Sequence, residues 1–174
     1  MNLQNLKKHI RNVPDFPEPG IQFKDITPIL QNAEVFQDLM QTFYEHYKNA
    51  HIDYVVGIEA RGFIFGAVLA SMLKCGFIPI RKPGKLPAET IAQEYELEYG
   101  NNKLEIHKDA LKKGDRVVIF DDLIAIGGTS RAAADLVRKL GAEIVEFAFI
   151  IELSELKGRE KLKDIAEVYS LVQY

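Results

Sequence analysis

The chain of 174 residues holds one cysteine, Cys75, so no intramolecular disulfide can brace it. The apolar neighbours Met72, Leu73 and Phe77 suggest a buried thiol, and such a lone thiol fits a reducing compartment, which makes the cytoplasm the expected location. Long apolar runs are also lacking. The longest apolar-rich stretch, residues 62–73, is too short to cross a bilayer, and no leading segment has the apolar run of a secretion signal, so no membrane partner is expected. Neither sign of charge dominates. Lys and Arg number 22 against 25 Asp and Glu, and a net charge of −3 argues against a chain built to coat nucleic acid. His9, His46, His51 and His107 show no metal-ligand spacing and have no paired cysteines, so structural zinc is not expected. No internal repeat or low-complexity tract is evident.

What is present is 47% apolar residues, enough to bury one sizeable core, and a single domain over residues 1–174 is expected. Leu3, Leu6 and Ile10 recur at helical spacing, after which Pro14, Pro17, Pro19 and Gly20 impose an extended loop. Over residues 33–49, Val35, Phe36, Leu39, Met40, Phe43, Tyr44 and Tyr47 mark one buried face of a helix. Two strand, helix, strand units follow. In the first, residues 54–58 form a strand, a helix runs from Arg61 and Gly62 to near Lys74 and Gly76, and residues 77–80 form a second strand. In the second, a strand over 117–120, a turn at 127–129, a helix over 131–140 stopped by Gly141 and a strand over 144–151 repeat the pattern. Parallel strands buried on both faces read as continuous apolar runs, so the fold class is α/β with a mainly parallel sheet. Between the units, residues 82–106 are polar and lack helical period, which predicts a long mobile loop running into a hairpin with its turn near Gly100, Asn101 and Asn102.

Residues 117–129, reading Val-Val-Ile-Phe-Asp-Asp-Leu-Ile-Ala-Ile-Gly-Gly-Thr, carry the chemistry. An apolar strand delivers Asp121 and Asp122 at its carboxyl end, where open α/β sheets bind ligands. The small turn of Ala125, Ile126, Gly127, Gly128 and Thr129 then opens a helix. Without bulky side chains its N–H groups can converge on a phosphate, and the helix terminus adds partial positive charge. The two acids suit hydroxyl donors of a ribose, or metal-bound waters beside it. Together these features describe a ribose 5-phosphate cradle, or, more plainly, a strand end followed by a helix cap.

This segment resembles the signature of the type I phosphoribosyltransferases, an apolar strand, two acids and a Thr-Gly-Gly-Thr type loop. It departs at Ile126, where the family usually has threonine. An unreplaced hydrogen bond to a charged phosphate would cost about 1.5–3 kcal/mol. Further segments are similar to the adenine-specific branch of the family: residues 15–28, Glu59-Ala60-Arg61-Gly62-Phe63, residues 81–87, Leu97-Glu98-Tyr99-Gly100 and Lys157-Gly158-Arg159-Glu160. The resemblance spans nearly the whole chain in order. It implies the type I fold, with an N-terminal hood over about 1–32, a core over about 33–174 and a long flexible loop or hairpin.

The resemblance also implies roles. Phe23 and Leu123 would flank the adenine ring, with Ile21 and Gln22 offering backbone groups to its edge and Lys24 beside them. Glu59, Ala60 and Arg61 would form a pyrophosphate loop with a cis peptide between Glu59 and Ala60, and Arg81, Lys82 and Lys85 would oppose the charge of the leaving group. Glu98 would be the catalytic acid or base, sharing a proton with N7 of the purine. The implied reaction joins adenine to 5-phosphoribosyl 1-pyrophosphate and yields AMP and pyrophosphate, with Mg²⁺ bound mainly through the donor and no direct protein ligand set. A homodimer is implied. Two alternatives stay open: a 6-oxo purine in place of adenine, and a non-catalytic ligand sensor on the same fold, to which Ile126 lends some support.

Overall fold

The computed structural model describes residues 3–96 and 101–174, and the side chains of residues 5–95 and 102–174. Contacts divide the chain into two compact units, Met1–His46 and Tyr47–Tyr174.

In the first unit, α1 (Leu3–Lys8) precedes an antiparallel pair, β1 (Arg11–Pro14) and β2 (Gln22–Asp25), in which Val13 pairs with Phe23. The expected loop is therefore only the connection between two strands. The prolines that suggested an extended loop sit at a strand end and in that connection, where a missing N–H costs no ladder bond. The connection contains a cis Phe16–Pro17 peptide, and the Gly20 N–H donates to Asp15 Oδ1 at 2.7 Å. Next, α2 (Thr27–Gln31) starts with Pro28 in its first turn. Helix α3 (Ala33–Tyr47) matches the expected amphipathic helix and buries Val35, Leu39, Met40, Phe43 and Tyr47. Its start is capped by Asn32, whose Oδ1 accepts the Val35 N–H at 3.2 Å.

The second unit is an α/β layer structure. A five-stranded parallel sheet has the order β4-β3-β7-β8-β9, with β3 at Tyr54–Ile58, β4 at Gly76–Ile80, β7 at Arg116–Ile124, β8 at Glu143–Glu152 and β9 at Glu167–Gln173. Helix α4 (Arg61–Leu73) links β3 to β4, and α5 (Gly128–Lys139) links β7 to β8, as the two apolar units predicted. Alternation along the central strand explains the layers. Val117 and Ile119 join a core with Ala133 and Leu136 of α5, whereas Phe120 stacks on Phe65 of α4 with ring centroids 6.4 Å apart. Both faces are thus dry, and burying each such side chain contributes about 1.5–3 kcal/mol.

Several boundaries differ from expectation. The central strand continues through both acids to Ile124, and α5 begins at Gly128, three residues earlier than Arg131, because glycine at a helix start carries little penalty. Part of the expected long loop is strand β5 (Thr90–Glu96), paired antiparallel with β6 (Asn101–His107), so that Glu96 lies opposite Asn101. Leu104 and Ile106 bury against the core, which holds this strand pair in place. Cys75 is half-buried rather than buried, since α4 ends at Leu73 and the Cys75 N–H turns back to Ala70 O at 3.0 Å. Among the described residues, no helix is long and apolar enough to cross a membrane.

Candidate active site

Chain order leaves the sheet centre in two directions: from β3 outward to β4, and from β7 outward to β8 and β9. The adjacent carboxyl ends of β3 and β7 therefore form a switch point, where loops diverge and leave a crevice. From β3 comes Glu59-Ala60-Arg61, with a cis peptide between Glu59 and Ala60. From β7 come Asp121 and Asp122, one strand spacing away, since Gly57 and Phe120 are paired in register. Arg61 Nε stands 3.0 Å from Asp122 Oδ2 and so links the two ends. The contact is an ion pair rather than a hydrogen bond, and among the described residues Oδ2 has no hydrogen-bond partner.

The two aspartates are crowded. Asp122 is 3% exposed, and its N–H donates to Asp121 Oδ1 at 2.9 Å. Burial, and then the neighbouring Asp122 charge, push the Asp121 carboxyl well above the ordinary range. Burial also raises Asp122, with Arg61 pulling the other way. Such a pair prefers a positive or hydrogen-donating ligand to empty solvent. Among the described residues, no three His, Cys, Asp or Glu side chains gather to hold a metal. Paired carboxylates of this kind suit a hard cation such as Mg²⁺ that takes one or two protein oxygens and fills its remaining positions from water and ligand.

Past Ile124 the chain turns over a cavity of about 170 Å³, lined by Asp121 and residues 123–130. This cavity brings together the expected phosphate turn, Ala125, Ile126, Gly127, Gly128 and Thr129, with Leu123 and one of the two acids. Gly127 adopts φ 77°, a left-handed conformation that most residues resist, and it precedes α5 without any side-chain cap. The first N–H groups of a 12-residue helix are thus left for a ligand.

The basic cluster is organised by Glu59, a role the sequence did not suggest. Lys85 Nζ donates to Glu59 Oε1 at 2.7 Å, the Arg81 guanidinium reaches both carboxylate oxygens at 3.2 and 3.3 Å, and the Lys82 N–H donates to Oε2 at 3.1 Å. Burial alone would raise the Glu59 carboxyl, but these donors outweigh it and bring it down to about 2. The backbone of Arg81 is fixed in turn by paired bonds with Glu105 of β6, at 3.0 and 2.8 Å. Anions approaching this loop meet cations that are already held in place.

In the first unit, Phe23 lies edge-on to Phe16 with centroids 5.1 Å apart, and Asn12 fixes both Gln22 and Lys24 through bonds of 2.7 and 3.0 Å. The Ile21 N–H and carbonyl already meet Glu18 O and the Phe16 N–H, at 3.3 and 3.4 Å. Glu98 lies outside the described residues.

A profile of the phosphoribosyl transferase domain matches residues 25–173. The chain is 57% identical over 168 residues to an adenine phosphoribosyltransferase of Halothermothrix orenii, covering 97% of this chain and 98% of that one. Among solved structures it is similar to the adenine phosphoribosyltransferase of Thermoanaerobacter pseudethanolicus, with a TM-score of 0.96, 50% identity and coverage of 99% and 100%. It is also similar to the enzyme of Saccharomyces cerevisiae solved with an imino-altritol bisphosphate and adenine, with a TM-score of 0.93, 46% identity and 97% coverage of each chain.

Proposed function

The chain belongs to the adenine phosphoribosyltransferases, and on that premise we propose that it converts adenine and 5-phosphoribosyl 1-pyrophosphate to AMP and pyrophosphate, a purine salvage step. The observation that carries the reading is the cavity at the end of β7, with a carboxylate on one side and a glycine turn opening a helix on the other. A sugar phosphate presents hydroxyl donors and a dianion in that order.

In this reading the turn 125–129 holds the 5′-phosphate through its N–H groups, and Asp121 and Asp122 accept from the ribose hydroxyls. Pyrophosphate lies over the loop of Glu59, Ala60 and Arg61, with Arg81, Lys82 and Lys85 offsetting its charge as the C1′–O bond breaks. Phe23 and Leu123 supply apolar faces for adenine, and the Ile21 carbonyl, through its second lone pair, and the Gln22 backbone, with Lys24 beside them, meet its edge. N9 of adenine forms the new bond to C1′. Glu98 exchanges a proton with N7 as the ring changes its charge. Asp121 and Asp122 would hold Mg²⁺ together with oxygens of the donor, and the ion would offset negative charge there. The chain works as one phosphoribosyltransferase domain, hood and core together, in a cytoplasmic homodimer, without nucleic acid or membrane. Support for these last points is the family alone. Formation of AMP from adenine and the donor with Mg²⁺ is the test.

A further inference from the structure

Under the phosphate turn lies a second layer of backbone. Gly158, in the connection between β8 and β9, faces Gly127 at van der Waals distance. A Cβ on Gly127 would stand 2.5 Å from the Gly158 carbonyl oxygen, and a Cβ on Gly158 would collide with Ala125 O and come within 2.9 Å of Gly127 N. Both positions are glycine so that two main chains can touch.

The lower chain is itself anchored. Arg159 donates from Nε and Nη2 to the two oxygens of Glu152 at 3.0 and 2.6 Å, and from Nη1 to Val168 O at 2.6 Å. Ser170 Oγ donates to Glu152 Oε2 at 2.5 Å, completing a clamp on a carboxylate that is 6% exposed. Glu152 pairs in register with Ile124, the last residue of β7 before the turn, and the Leu153 N–H donates to Ile124 O at 2.9 Å. On the other side, Arg131 of α5 donates from Nη1 to Lys161 O at 3.0 Å and pairs with Asp164 at 2.9 Å. The connection is thus fastened to the strand that enters the phosphate turn and to the helix that leaves it.

The turn needs such support because its own residues supply little. Gly127 makes no side-chain cap, and Ile126 has no hydroxyl with which to tie the loop to a neighbour. Amides that must converge on one phosphate are useful only if their directions are fixed before the ligand arrives. We propose that Gly158 and Arg159 are positioning residues of the phosphate turn: the bidentate fork of Arg159 on Glu152 holds the Gly158 backbone against residues 125–127 and keeps their N–H groups convergent. Neither residue lines the cavity. This inference rests on the functional reading above.

The test uses Gly158→Ala, Arg159→Lys and Arg159→Ala in the full chain, with thermal melts and circular dichroism confirming folding. Calorimetric binding of ribose 5-phosphate is measured beside KM for the donor and for adenine. Gly158→Ala and Arg159→Ala are expected to raise the donor KM and the ribose 5-phosphate Kd by about tenfold or more, with adenine KM within about twofold of wild type. Arg159→Lys keeps the charge but loses the fork and falls between. If Arg159→Ala does not fold, the other two variants decide. Folded variants that bind ribose 5-phosphate as wild type does, or that raise both KM values together, overturn the inference. A wild-type protein that binds no ribose 5-phosphate and makes no AMP overturns the functional reading instead, and this inference with it.

Discussion

Arg61 Nε and Asp122 Oδ2, 61 residues apart in sequence (122 − 61), lie 3.0 Å apart and link the carboxyl ends of β3 and β7. Because Arg61 is the largest pull against the upward push of burial on Asp122, its removal raises that carboxyl further. Arg61→Ala is expected to lower kcat/KM for the donor by about tenfold or more and to move the acid limb of the pH profile to higher pH. A pH–rate profile measured on both proteins checks it. An unmoved limb would separate Arg61 from the ionisation of the pair.

Asp121 sits above its ordinary pKa, so its proton is held more tightly in the folded chain than in the unfolded one. Its stabilising effect is then fully present below the unfolded value and is lost as pH rises through the folded value. Holding this carboxyl buried in its charged form costs stability relative to a neutral side chain of the same shape. Asp121→Asn is therefore expected to raise Tm by a few degrees, equivalent to about 1 kcal/mol, while turnover collapses. A melt and an assay on the same sample test the trade. A Tm that falls would contradict it.

Glu59 shows the opposite sign. Its pKa is brought down to about 2 by Lys85, Arg81 and the Lys82 N–H against the effect of burial, so its contribution is present above the unfolded carboxylate value and is lost as pH falls toward 2. Since Arg81 and Lys85 are 32% and 47% exposed, the worth is modest, about 1 kcal/mol. Wild type should lose its Tm advantage over Glu59→Gln between about pH 4.3 and 2. Parallel curves across that window would show that the hub contributes nothing through its charge.

Ile126 stands where the resemblance sets a threonine, and Ile126→Thr is expected to tighten donor binding by about tenfold or more, the worth of one hydrogen bond to a charged group. Adenine affinity should stay nearly unchanged. Calorimetry with each ligand separates the two. Unaltered donor affinity would mean that the backbone N–H groups, supported from below, already suffice. Tight donor binding by wild type with no product would favour the ligand-sensing alternative.

Both crossover units were legible in the sequence, because strands buried on two faces must be apolar throughout and α5 ends in a glycine stop. The β1–β2 pair was not legible. Its strands are four residues long and none of their residues is fully buried, so no alternation marks them. Strand β9 escaped as well, since Glu167, Tyr169 and Ser170 interrupt its apolar residues. In the site, Asp121, Asp122 and the glycine turn announced themselves as a continuous segment. The Glu59 hub and the Gly158 support did not, for their partners lie 22 to 33 residues away (81 − 59; 158 − 125) and only the sheet order brings them together. Adenine itself was read from resemblance, not from residue chemistry.

Formation of AMP, followed with adenine, hypoxanthine, guanine and xanthine in turn, each with 5-phosphoribosyl 1-pyrophosphate and Mg²⁺, tests the central claim most directly. Adenine should be turned over, and the 6-oxo purines should lag by about 10⁴-fold in kcat/KM, as expected where a wrong base leaves buried polar groups unpaired. No turnover of adenine, or faster turnover of a 6-oxo purine, would contradict the account.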